Sequence, residues 1–225
     1  MSEQSRGLDP SSRPARTGID PVMRTPAHRL HSLSGARFER LQGWEIPAAY
    51  GPVEVERAAI REGLAIADVT PRGKVDVRGP VDDILAGFTR GSEEQVARIS
   101  AGWALLLTSP GGGDHWLPIA ERAAGPSGMA TDATSLYTGI ALLGPIADQL
   151  LARLTAVDTS TLGKGDAVGL QLARIPALLM FGTRAIEIYA GSEYGRYLWR
   201  TIAALAGTLG GRPVGWEALA AEGWS

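Results

Sequence analysis

Apolar positions along this chain alternate between the two-residue spacing of strands and the three-to-four-residue spacing of helices. "VEVERAAIREGL" (53–64) places Val53, Ala59, Ile60 and Leu64 near one face, with Gly63 at its end, and predicts a helix. "KVDVRG" alternates: Val75 and Val77 face one way, Lys74, Asp76 and Arg78 the other, as in a strand buried on one side. Gly79-Pro80 ends it, and "VDDILAGF" follows as a short helix with acids in its first turn, where the helix dipole favours them. "WALLLTSPGGGDHWLPIAE" reads as two strands joined by a turn at 109–114. "YTGIALLGP" is again a strand, and "IADQLLARLT" again a helix, with Ile146, Leu150, Leu151 and Leu154 on one side. From Asp166 to Ala190 successive strands are expected, the last pair (177–181 and 185–190) joined by Gly182-Thr183-Arg184. Ser192 is the expected N-cap of a final long helix carrying Tyr194, Leu198, Ile202, Leu205 and Leu209 as one stripe.

Strands and helices therefore mix, with hairpins between neighbouring strands, which predicts an α+β fold of antiparallel sheets with packed helices. One phrase occurs twice. "ADVTPRGKVDVRGP" (67–80) and "TDATSLYTGIALLGP" (131–145) each set Asp-x-Thr before a strand that ends in Gly-Pro and leads to a helix. Two related α/β halves account for that economically. In both copies the acid is placed to hydrogen-bond the turn backbone beside it.

Composition narrows the possibilities. The 225 residues suffice for one large domain or two small ones, and 44% apolar with 20% charged is ordinary for a globular chain. A formal net charge of −2 offers no general attraction for nucleic acid or an anionic membrane. The absence of cysteine excludes disulfides, thiolate catalysis and Cys-based metal sites, and fits a reducing, cytoplasmic setting. No apolar run approaches membrane-spanning length and no signal-peptide core stands at the N-terminus. Residues 1–28 are rich in Ser, Arg, Pro and Gly and are expected to form a disordered tail. His28 and His31 lack a third ligand, so no metal site is expected, and Gly111–Gly113 lack the Lys-Ser/Thr of a phosphate loop.

Gly35 to Pro80 resembles the opening of the glycine cleavage T-protein (aminomethyltransferase) family: Gly43, Trp44, Glu45, Pro47 and Tyr50 match its first segment, Asp68, Val69 and Gly73 its second. "DATSLYTGIALLGPIADQLLARLT", "IEIYAGSEYGRYLWRTI" and "RPVGWEAL" resemble later stretches in the same order. The resemblance implies ferredoxin-related lobes, here 29–125 and 126–225, and tetrahydrofolate-linked transfer of an aminomethyl or methyl group. It also implies folate as the small-molecule ligand and partner protein subunits. Four departures stand out. The family's Ser-His-Met is Thr70-Pro71-Arg72, the loop before Ile186 is short, the paired acids after the Gly-Gly turn become Asp114-His115, and the sequence stops at Ser225 without the family's C-terminal barrel. The small size, the lost barrel and the short loop bring it closer to the sarcosine oxidase γ-subunit branch, so the alternative is a non-catalytic γ-type subunit of a heteromeric sarcosine or N-methyl-amino-acid oxidase.

The resemblance also assigns candidate roles. Glu187 aligns with the glutamate that holds the pterin's N–H groups, a role suited to a carboxylate accepting two parallel donors. Strand alternation alone would instead put Glu187 on a solvated face with Tyr189. Asp114 is the candidate catalytic group, stabilising positive charge on the transferred carbon, or else a turn aspartate. Trp44, Tyr50 and Trp116 could stack on a pteridine ring or belong to the core.

Overall fold

A computed structural model of the chain describes residues 21–86 and 94–224. In chain order the first elements are β1 (Met23–Arg24), α1 (His28–Leu33), β2 (Arg37–Leu41), β3 (Trp44–Ala49), α2 (Val53–Glu62), β4 (Ala65–Asp68), β5 (Arg72–Arg78) and α3 (Val81–Ala86). Then come β6 (Gln95–Ser100), β7 (Trp103–Pro110), α4 (Gly113–Ala124), β8 (Met129–Asp132), β9 (Tyr137–Leu143) and α5 (Ala147–Leu151). The last are β10 (Ala167–Leu172), β11 (Ile175–Phe181), β12 (Ile186–Gly191), α6 (Gly195–Thr208), β13 (Arg212–Pro213) and α7 (Trp216–Ala221).

The strands form a six-stranded sheet ordered β10-β11-β12-β9-β4-β13, a four-stranded sheet ordered β6-β7-β5-β8, and a small sheet β1-β3-β2. Pairing is antiparallel except at β13–β4 and β1–β3. One face of the six-stranded sheet is covered by α5 and α6, where Ile66, Ile140, Leu142 and Ile188 meet Leu198, Trp199 and Ile202. Each such Leu or Ile contributes about 1.5–3 kcal/mol on burial. The stripe read from Tyr194 to Leu209 is the face that packs there. The four-stranded sheet carries α4 outside, with Val75, Val77 and Leu106 against Trp116, Ala120 and Ala124. Its inner face meets β11 and β12: Ala97, Leu105 and Leu107 pack with Leu178, Met180 and Tyr189. Helix, sheet, sheet and helix thus stack in four layers.

The repeated phrase is the crossing point between the two sheets. Its first copy leaves the six-stranded sheet at Asp68 and enters the four-stranded sheet as β5. The second leaves the four-stranded sheet at Asp132 and enters the six-stranded sheet as β9. The Asp68 carboxylate accepts from Thr70 N–H at 3.0 Å and that of Asp132 from Thr134 N–H at 2.9 Å, as the sequence implied. The copies also bond each other reciprocally. Thr70 Oγ1 accepts from Gly139 N–H at 3.0 Å, and Thr134 Oγ1 from Lys74 N–H at 3.0 Å. Val69 N–H donates to Gly139 O at 2.9 Å, and Ala133 N–H to Lys74 O at 2.8 Å. Gly79 (φ 117°) and Gly144 (φ 99°) end the two strands in the left-handed region that favours glycine. Strand pairing among the described residues runs across the expected 125/126 division three times, β4 with β9, β5 with β8 and β4 with β13.

Other expectations change. Residues 115–121, expected as a strand, lie in α4. Trp116, Ala120 and Ala124 recur every four residues and are buried, a helical stripe that the short run "HWLPI" concealed. Ser192 begins a 3₁₀ turn and caps nothing with its side chain; Tyr194 is the residue before α6. The second helix of the repeat closes after Leu151. Of the segment expected as a tail, residues 1–20 lie outside the described residues, whereas Met23–Arg24 pair with Trp44–Glu45 and Ala27 is buried.

Candidate functional site

The inner faces of the two large sheets carry charge as well as apolar side chains. Alternation along β5 is as predicted, but the start of the face expected to meet water is sealed: Arg72 and Lys74 are buried there, Asp76 is half-buried and only Arg78 is exposed. Across from Arg72 and Lys74 β12 presents Glu187 and Tyr189, also buried, so Glu187 is on no solvated face. The Glu187 carboxylate, 1% exposed, accepts from Arg72 Nη1 on both oxygens, at 2.7 and 2.6 Å. The Tyr189 hydroxyl donates to Oε2 as well. Arg72 Nε–H donates to Thr108 O at 3.1 Å, and the guanidinium lies 5.6 Å from the centre of the Trp224 ring. Burial pulls the Arg72 pKa down, yet the Glu187 charge outweighs this and holds it above its usual value. Burial and the Glu187 charge push Tyr189 well up, so its proton stays on the phenol.

Lys74 Nζ donates to Thr70 O at 2.7 Å and Arg72 O at 2.8 Å, and lies 5.5 Å from the centre of the Tyr189 ring. Burial, then the neighbouring Arg72 charge, bring its pKa down to about 7.

Beyond Tyr189 the inter-sheet space opens into a cleft of about 620 Å³, lined by Trp103, Tyr137, Leu178, Tyr194 and Glu193 among others, with Tyr189 at its floor. Trp103 is held from two sides: its indole N–H donates to Asp76 Oδ2 at 3.0 Å, and the Arg78 guanidinium stacks 3.9 Å from its ring centre. Burial, then Asp76, raise the Tyr137 pKa. The cleft thus presents aromatic surfaces, among them the Trp103 ring held by Asp76 and Arg78, and the acidic side chain of Glu193. That chemistry suits a flat heterocycle bearing N–H groups.

The residues singled out in the sequence do not converge. Glu187 is in the ion pair just described and does not line the cleft. Tyr50 belongs to a different buried chain: its hydroxyl is 2.7 Å from His31 Nδ1, and His31 Nε2 is 2.7 Å from Asp68 Oδ2. Burial raises the Asp68 pKa, but the His31 hydrogen bond and charge outweigh it and hold the carboxyl low. The His31 ring also stands edge-on to Trp199 of α6, at 4.4 Å. Asp114 and Trp44 do share a small cavity, about 110 Å³, with Asp132 and Thr134, but Asp114 is exposed in the first turn of α4 and Trp44 is largely packed in the core. Trp116 is core beneath the four-stranded sheet. Among the described residues no three His, Cys, Asp or Glu side chains are grouped to hold a metal. Sequence reading missed Arg72, Lys74, Trp103 and Tyr137. The available signal was Arg72 standing at a departure from the family pattern, on the same strand face as Lys74.

Residues 91–222 match the family model described as the GCVT N-terminal domain. The chain belongs to that family. Among curated relatives, the aminomethyltransferase of Desulforamulus reducens is 25% identical over 227 residues, covering 86% of this chain and 61% of the relative. That of Rubrobacter xylanophilus is 29% identical over 169 residues, covering 64% of this chain and 45% of the relative. The chain thus spans less than two thirds of the length of these relatives. Among solved structures, the glycine cleavage aminomethyltransferase T of Bartonella henselae superposes with TM-score 0.72 at 19% identity, over 88% of this chain and 60% of that one. A chain of the heterotetrameric sarcosine oxidase from Corynebacterium sp. U-96 superposes with TM-score 0.60 at 18% identity, over 82% of this chain and 95% of that one. The fold is the T-protein-like α+β architecture expected from Gly35–Pro80 and the later stretches. No helix among the described residues is long and apolar enough to cross a membrane.

Proposed function

We propose that this GCVT-family chain serves folate-linked one-carbon chemistry in the cytoplasm, binding a tetrahydrofolate-class ligand in the inter-sheet cleft and working with partner subunits. The observation that carries this reading is the cleft itself, with Trp103, Tyr137 and Tyr194 on its walls. Stacking on these rings and N–H donation to Glu193 would hold the pterin; the folate, when bound, supplies the nitrogen that carries the one-carbon unit. Glu187 does not fit that role in this chain, because both its oxygens are taken by Arg72. Asp114 stays a candidate for an electrostatic role only if the transferred carbon reaches the cavity it shares with Trp44.

Tetrahydrofolate is expected to raise the melting temperature of the protein, because a ligand that binds only the folded state stabilises it by mass action. Trp103→Ala should remove most of the shift. No shift at saturating tetrahydrofolate would sink this reading.

A second reading is a non-catalytic γ-type subunit of a sarcosine or N-methyl-amino-acid oxidase complex. Two observations favour it: the closed Glu187 carboxylate, and the near-complete overlap with a chain of the heterotetrameric sarcosine oxidase. Co-purification with larger flavoprotein subunits would support it, and a chain indifferent to those subunits would count against it.

A further inference from the structure

The Arg72–Glu187 pair is built as a receptor and its occupant. A buried carboxylate with two free oxygens is a docking point for a planar group with parallel N–H donors: a guanidinium, an amidine, or the 2-amino-4-oxopyrimidine edge of a pterin. Here Nη1 of Arg72 spans both oxygens and the Tyr189 hydroxyl takes a further acceptor site. The guanidinium is held in turn by Thr108 O. Arg72 is itself buried, so it cannot swing into water and leave the carboxylate to a ligand without rearranging its strand.

We infer that Arg72 is an internal occupant of the Glu187 carboxylate, and is the residue that shuts pterin-type ligands out of that position. The inference goes beyond the cleft reading and holds whatever the cleft binds. It assigns Glu187 a latent chemistry: once the arginine side chain is truncated, the carboxylate receives small planar N–H pairs. Tyr189 would still hold one oxygen and orient the group.

The test uses thermal melts of the full chain with two probes, methylguanidinium and isocytosine (2-amino-4-hydroxypyrimidine). Arg72→Ala is expected to gain about 5–10 °C at probe concentrations a hundredfold above Kd. The wild type and the Arg72→Ala/Glu187→Gln double variant should gain nothing. Arg72→Met, whose unbranched side chain fills the arginine stem, should respond as Arg72→Ala does, more weakly. If neither variant folds unaided, refolding that is rescued by methylguanidinium and not by tetramethylammonium carries the same expectation. Equal responses of wild type and variants, a response that survives Glu187→Gln, or no response or rescue in either Arg72 variant would overturn the inference. A wild type that ignores tetrahydrofolate would count against the cleft reading alone.

Discussion

Arg72 on β5 and Glu187 on β12 form a buried ion pair across the two large sheets, with one guanidinium nitrogen 2.7 and 2.6 Å from the two carboxylate oxygens. They are 115 residues apart in sequence, so the pair ties the two sheets together. Its energetic character follows from burial: attraction and hydrogen bonds offset a large desolvation cost, and removing one partner leaves the other uncompensated.

Glu187→Ala is therefore expected to cost about 3–5 kcal/mol, whereas Arg72→Met/Glu187→Leu should recover most of that loss. Urea unfolding read as a midpoint change at constant slope checks it. A double variant no more stable than Glu187→Ala would contradict it.

Lys74 should leave a signature in alkaline stability. Its folded pKa, down to about 7, lies below the ordinary 10.5, so between these values the unfolded chain binds a proton that the folded chain does not. Stability then rises with pH across that window, by about 1 kcal/mol per pH unit. Lys74→Met should flatten the rise between about pH 7 and 9, read from urea midpoints at each pH.

Asp68 acts in the opposite region. Its folded pKa lies below the ordinary 3.8, so its contribution is complete above that value and fades as pH falls through the lower folded one. Asp68→Asn should be less stable than wild type at neutral pH, and the gap in melting temperature should close in strong acid. Tyr50→Phe, which removes the hydroxyl from His31 Nδ1, should cost about 1 kcal/mol.

Gly139 leaves room for the Tyr189 ring, which lines the cleft. A Cβ there would sit 2.8 Å from Cε1 of Tyr189 and 3.2 Å from the Val69 carbonyl carbon. Gly139→Ala should cost about 1–3 kcal/mol through overpacking. By shifting Tyr189 it should also weaken whatever tetrahydrofolate response the wild type shows. Paired thermal melts with and without ligand separate the two effects.

Much of the local structure was legible in the chain. The stripe from Tyr194 to Leu209, the hairpin around Gly182–Arg184, and both Asp-x-Thr turns depend on neighbours within a few residues, and all are present. The stretch after Gly113 was misread because Trp116, Leu117 and Ile119 look strand-like over a short run. Its helical period shows only when Ala120 and Ala124 are counted as core. The candidate site was far less legible. Glu187 could be named, but not its partner, since Arg72 lies on another sheet.

The sequence by itself determined the α+β class, the family, and the Asp-x-Thr phrase that marks each crossing between the sheets. The class and the phrase follow from periodicity and from hydrogen bonds within a few residues of their donors, and the family from the resemblance of its ordered motifs. Only the tertiary structure decided what the polar faces of β5 and β12 do. Alternation tells which side chains share a face, not what that face meets. Each strand taken alone would turn its charges to water. Packed sheet against sheet, those charges find one another, and burial with mutual pairing makes Arg72 and Glu187 a closed unit beside the aromatic cleft.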